Sequence, residues 1–226
     1  MTPALQVARP AGLLYRVGRV PDAWALAPWT YAGADNTFGS RFDDPEGEYR
    51  IRHAAGQKRR AFLETLARFR ADPQLLAQLA EIDDDPEYPT APPSTVPSEW
   101  LHTRCVGIAQ ADSLLFVDIS HSQSLAHLRH HLAHRLVHFG LDDLDAGDIR
   151  KRTPRALTQE VSRYVFERPE AFAGIRYLSR LGDDLANWAI FEGSELDQVI
   201  EDNETIEPDD PDLVVALHTL NLTLAD

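Results

Sequence analysis

The sequence predicts a single α+β domain, and three observations predict it. The chain of 226 residues fits one domain, at roughly 100–200 residues each with larger single domains common. Hydrophobic residues make up 43% and charged residues 26%, the balance of a globular protein with a real core. Strand-like and helix-like segments are mixed without a regular strand–helix alternation, which argues against a doubly wound parallel sheet.

Leu13 to Val17 reads as an opening strand, and Pro21 to Pro45, rich in Gly, Pro, Asn and Asp, as a long loop. Tyr49 to His53 alternates as a second strand. Gln57 to Arg70 reads as a helix, with Phe62, Leu66 and Phe69 at helical spacing on one face. Asp83 to Pro97 holds five prolines and an acidic run, so it reads as a loop. Arg104 to Ile119 carries two apolar runs around Gln110-Ala111-Asp112-Ser113, a strand, turn and strand. Ser122 to Phe139 reads as one helix stopped by Gly140, and Leu157 to Phe166 as another. Gly174 to Arg180 and Asn187 to Phe191 read as strands joined by Leu181-Gly182-Asp183-Asp184. The acidic tail, Glu201 to Asp212, is expected to be exposed, within a C-terminal extension over residues 193–226 of a core spanning about 13–192.

Lys plus Arg is 22 against 36 for Asp plus Glu, a net charge of -14. That argues against direct nucleic-acid binding, which needs a basic footprint, but leaves room for a small basic pocket. One cysteine, Cys105, excludes an internal disulfide and fits a reducing cytoplasm. Met1 to Arg19 lacks the pattern of a secretory leader. No apolar run reaches the ~18 residues of a membrane helix. The expectation is a cytoplasmic protein without a membrane partner.

Three scattered residues suggest chemistry on a charged nucleotide: Arg41 in Gly39-Ser40-Arg41-Phe42, Glu64 in Phe62-Leu63-Glu64, and Ser179 in Tyr177-Leu178-Ser179-Arg180. Arg grips phosphate through two parallel hydrogen bonds, and a carboxylate steadies a sugar cation as a glycosidic bond breaks. Glu64 sits nearly opposite Phe62, Leu66 and Phe69, where an ordinary Glu would simply be solvated. Arg41 could equally pair with Asp43 or Asp44. Arg16 lies within an apolar strand, so it must face solvent or be partnered. His127, His130, His131, His134 and His138 invite a metal reading. They fall opposite Leu125, Leu128, Leu132 and Leu136, and no HExxH pattern is present. They are expected to form a solvated face, with no metal site.

At these residues the chain resembles the RES domain family, over about Tyr15 to Glu192. The resemblance rests on Gly39-Ser40-Arg41-Phe42, on Tyr49 through Phe69, and on Gly174 through Phe191. It implies a mixed central sheet flanked by helices, similar to the diphtheria-toxin type of ADP-ribosyltransferase. It also implies a bacterial toxin that consumes NAD without a metal and pairs with an Xre-type helix-turn-helix antitoxin. Family members transfer to phosphate, water or a protein acceptor. Residue by residue, Arg16 and Arg41 match the two Arg positions, Glu64 the catalytic Glu, and Ser179 and Asn187 the polar positions of the late strands. His53 stands where the family commonly has Tyr, about eleven residues before the Glu; as a cofactor-binding residue it is expected to stack on nicotinamide or donate a hydrogen bond, the alternatives being weakened activity, altered substrate choice, or substitution by Tyr49 on the same strand face. The rival expectations are a non-catalytic RES-like module that binds a helix-turn-helix partner, and a metal-dependent hydrolase built on the His cluster.

Overall fold

The structure, a computed structural model, describes residues 4–81, 94–151, 153–200 and 203–225. Strands β1 (Val7–Ala8), β2 (Leu14–Arg19) and β3 (Ile51–Ala55) precede helix α1 (Lys58–Leu66), a 3-10 turn at Ala67–Phe69 and helix α2 (Pro73–Leu79). Strand β4 (Thr95–Val96) and helix α3 (Glu99–His102) lead to β5 (Arg104–Gln110) and β6 (Phe116–Asp118). Helices α4 (Ser122–His131), α5 (Ala133–His138), α6 (Ala146–Arg150) and α7 (Arg155–Phe166) come before β7 (Gly174–Leu178) and β8 (Ala186–Phe191). The chain continues with β9 (Gln198–Val199), β10 (Glu204–Thr205), α8 (Pro211–Leu220) and β11 (Thr223–Leu224). The expected loop at Asp83–Pro97 falls outside the described residues up to 93, and its end forms β4.

The main sheet runs β1-β6-β7-β8-β3-β2-β5-β10, with β9 also on β5. The β6–β7 pair is parallel and the other pairs are antiparallel, so the sheet is mixed. Residues directly opposite in register share a face. One such row, Tyr15, Ala55, Asn187 and Tyr177, crosses four strands beneath the helices. The helices on this face form two groups. Around α1 and α8 lie Phe62, Leu66, Leu213 and Leu217; around α4, α5 and α7 lie Leu128, Leu132, Leu136, Val161 and Val165. The opposite face buries Leu14, Trp24, Phe116 and Trp188.

Between the two helical groups the sheet itself splits. β2 and β3 share one paired position, Tyr15 with Ala55, whereas β2 and β5 share six and β3 and β8 share five. Arg16, which leaves β2 on the face opposite Tyr15 and Val17, fills this gap. It donates from Nε to the Ala23 carbonyl at 2.7 Å and from Nη1 to the His53 carbonyl at 2.8 Å. Ala23 can lie that close because Gly18 has no side chain there: a Cβ on it would stand 2.3 Å from the Ala23 oxygen.

Two elements differ from the sequence reading. The long helix expected over Ser122–Phe139 breaks at Leu132, whose backbone sits at φ -96°, ψ 8°. The bend keeps Leu128, Leu132 and Leu136 all buried against a curving core. The acidic tail is exposed over most of its described residues, as expected, but it is held to the core more firmly than its composition suggests. Lys58 pairs with Glu204 at 2.6 Å and with Asp210 at 2.7 Å, and Ile206 is buried. Asp210 caps α8 by accepting from Asp212 and Leu213, Pro211 opens the helix, and Asn221 ends it in the left-handed region at φ 54°. Leu213, Ala216, Leu217 and Leu220 at helical spacing then seal α8 into the core around α1.

Candidate functional site

A cleft of about 410 Å³ opens where β2 and β3 part, walled by α1, the Ser40–Arg41 loop, the start of α7 and the end of β7. Its size falls in the ~300–1,000 Å³ range of small-molecule sites. Arg16, Arg41, His53, Glu64 and Asn187 all line it. Five of the six residues selected from sequence are therefore brought together from five separate segments.

Glu64 faces the cleft because α1 buries Ala61, Phe62, Leu63 and Leu66, leaving Glu64 on its exposed side. Asn187 Nδ2 donates to Glu64 Oε1 at 2.8 Å and so fixes the carboxylate. Asn187 is itself 1% exposed, and its Oδ1 is buried without a partner among the described residues.

Arg41 does not pair with Asp43 or Asp44. Asp43 accepts from the Ser40 N–H, Asp44 accepts from the Glu46 and Glu48 N–H groups, and both brace the loop. Arg41 instead donates to the Ile149 carbonyl, and its guanidinium carbon lies 5.1 Å from the Phe42 ring centre and 5.4 Å from that of Tyr177. Burial pushes its pKa down; Tyr177 and Glu64 oppose that shift, and Arg180 adds to it. Arg16 is lowered to about 10, by burial and then by the charge of Arg52.

His53 is lowered to about 3, by burial and then by the charges of Arg16 and Arg41, so the ring is neutral at ordinary pH. Its Nδ1 lies 3.2 Å from the Tyr177 hydroxyl. Tyr49 is on the helical face, as alternation predicts, but it does not stand in for a cleft phenol. Its hydroxyl is 2.9 Å from Ser162 Oγ and its ring stacks on Phe166 at 4.0 Å, away from the cleft lining. The cleft phenol beside His53 is Tyr177, whose alternating apolar strand reads in sequence as core; no sequence signal separates it from Ile175.

Ser179 is not part of the lining. It is 1% exposed, and its Oγ accepts the Leu181 N–H at 2.9 Å, closing the turn between β7 and β8. The lining contains two charged residues absent from the sequence selection, Arg155 and Arg180. Arg155 opens α7 and donates to the Gly39 carbonyl, while Arg180 makes no hydrogen bond or ion pair among the described residues. Four arginines thus face one carboxylate in a chain whose net charge is -14.

The His-rich segment is only partly the solvated face expected of it. His130, His131, His134 and His138 are exposed. His127 is 9% exposed, with Nε2 2.8 Å from the Tyr164 hydroxyl and its ring 4.2 Å from that of His131. The packing of α7, whose Tyr164 covers His127, explains this departure. Among the described residues no group of three or more His, Cys, Asp or Glu could hold a metal ion, and no helix is long and apolar enough to cross a membrane.

The fold is an α+β arrangement in which a mixed, split sheet carries two helical groups on one face, with an arginine-rich cleft between them. It is similar to a solved chain from the crystal structure of the M. tuberculosis MbcT–MbcA toxin–antitoxin complex. The two align with a TM-score of 0.51 over 95% of this chain and 92% of that one, at 12% sequence identity. No family model matches the chain, and neither does any curated protein.

Proposed function

We propose that this protein is the NAD-cleaving toxin of a toxin–antitoxin pair, of the RES type and built on the diphtheria-toxin-like ADP-ribosyltransferase plan. The observation that carries the reading is the local reversal of charge: four arginines around a single carboxylate, in an otherwise acidic chain. A dinucleotide diphosphate needs cationic donors, and the bond to be broken needs one carboxylate beside a ribose. The similarity to a chain from a toxin–antitoxin complex supports the same reading at the level of fold.

In this mechanism Arg41, Arg155 and Arg180 hold the diphosphate. Arg16, with two of its nitrogens committed to the Ala23 and His53 carbonyls, mainly keeps the split sheet open and adds its charge. Nicotinamide already carries the positive charge of a good leaving group, so departure requires no general acid. As the bond lengthens, Glu64, held by Asn187, stabilises the oxocarbenium-like ribose by charge and by a hydrogen bond to a ribose hydroxyl. Phosphate, water or a protein side chain then takes the ribosyl carbon. No step requires a metal. The antitoxin partner in this reading is an Xre-type helix-turn-helix protein.

The test is purified protein incubated with NAD, with and without phosphate, followed by chromatography of free nicotinamide. Nicotinamide release supports the reading, and intact NAD with demonstrably folded protein overturns it. Co-purification with a helix-turn-helix protein encoded beside it, with loss of NAD cleavage on binding, tests the partner.

A further inference from the structure

Tyr177 lines the cleft. It shares its cross-strand row with Asn187, the residue that holds Glu64. Its ring lies 4.7 Å from that of Phe42 and beneath the Arg41 guanidinium. Its hydroxyl meets His53 Nδ1 at 3.2 Å across β8, where the small Ala189 is the residue opposite His53. Burial, reinforced by the charge of Glu64, keeps the phenol protonated.

A buried hydroxyl proton needs an acceptor. The Arg41 guanidinium over its ring has none to offer. Glu64 takes its hydrogen bond from Asn187, and no Tyr177–Glu64 hydrogen bond is present among the described residues. His53 Nδ1, at 3.2 Å, is the remaining partner. A neutral imidazole that accepts at Nδ1 carries its proton on Nε2.

We propose that Tyr177 is a positioning residue: it donates to His53 Nδ1, fixes the ring as the Nε2–H tautomer, and so presents a neutral N–H donor to a carbonyl or hydroxyl oxygen of the cleft's ligand. The identity of that oxygen, on the nicotinamide side of NAD, rests on the functional reading above; the tautomer does not. Neutrality matters to that ligand, because a cationic imidazole would repel the positively charged nicotinamide ring.

Nitrogen-15 spectra of histidine-labelled protein test the tautomer directly, with His53→Gln identifying the resonances. The expected wild-type pattern is a pyridine-like Nδ1 and a pyrrole-like Nε2, with Tyr177→Phe shifting both toward a tautomer average. A proton on Nδ1 in the wild type, or unchanged resonances in Tyr177→Phe, would overturn the proposal. In NAD cleavage, Tyr177→Phe should lower kcat/KM about five- to tenfold, the scale of one lost hydrogen bond. Affinity for ADP-ribose, which lacks nicotinamide, should be unchanged, because Phe keeps the ring under Arg41. Equal kcat/KM, or an equal loss of ADP-ribose affinity, also overturns it. A wild type that leaves NAD intact would instead sink the functional reading, with the spectra still deciding the tautomer.

Discussion

Replacing Glu64 with Gln isolates the charge on which the proposed mechanism depends. Glu64 is exposed to the cleft and receives one hydrogen bond from the protein, from Asn187 Nδ2 at 2.8 Å. Gln keeps the length of the side chain and an oxygen to accept that bond, so only its charge assistance is lost. The expected cost in stability is about 0.5–1.5 kcal/mol, or a fall in Tm of roughly 2–4 °C per kcal/mol for a chain of this size. Part of this is offset if the new amide turns an N–H toward Asn187 Oδ1, which is buried without a partner among the described residues. The rate should fall far more than the stability. Removing one electrostatic contact made in the transition state costs about 2.7–4 kcal/mol, or roughly 100- to 1000-fold in kcat. The assay is nicotinamide release at equal protein concentration, with matched circular dichroism and melting curves. Turnover by a folded Glu64→Gln protein within about threefold of wild type would refute the role given to this carboxylate, since threefold is under 1 kcal/mol of barrier.

The other predictions concern neighbouring residues. Arg41→Lys keeps the charge but loses the planar fork and the stacking on Phe42 and Tyr177, so NAD affinity measured by calorimetry should drop about tenfold; unchanged affinity would make Arg41 a structural residue only. Ser179→Ala should cost about 0.5–1.5 kcal/mol of stability through the lost turn bond to Leu181 while leaving NAD affinity intact, and a large loss of affinity without destabilisation would restore Ser179 to the binding site. His53, at about 3 in the folded protein against the ordinary 6.5 of a histidine, refuses a proton that the unfolded chain accepts between those values. Its contribution to stability is therefore lost as pH falls from 6.5 toward 3. Denaturant midpoints of His53→Gln should decline less over that window than those of wild type, and parallel curves would contradict a buried neutral ring. In the His-rich segment, exposed His134→Gln should change stability by about 0.5 kcal/mol or less. His127→Gln, which loses the Tyr164 contact, should cost about 1 kcal/mol; equal effects, or NAD cleavage abolished by EDTA, would contradict this division.

Much of the site was legible because its chemistry is carried by unusual residues in telling places. An Arg inside an apolar strand, Arg16, demanded a partner and has two carbonyls; a Glu opposite a buried helical face, Glu64, was free to line a cleft. Arg155 and Arg180 were not legible, since surface charges look alike until the fold aims them. Tyr177 was hidden for the opposite reason: strand alternation marks it as buried but cannot tell a core contact from the floor of a cleft. The split between β2 and β3 leaves no trace in either strand's pattern, although it decides where the cleft lies. The α8 helix was legible in Asp210-Pro211 and the apolar spacing from Leu213 to Leu220, but the acidic composition of the preceding residues masked it.

The central claim is that the arginine-rich cleft cleaves NAD, and the direct measurement is free nicotinamide produced from NAD by the purified wild-type protein in the presence of EDTA. The account predicts nicotinamide release that continues over many turnovers, or up to the supply of acceptor, and that falls at least about 100-fold in Glu64→Gln. Intact NAD after prolonged incubation with folded protein, whether phosphate is present or not, would contradict it.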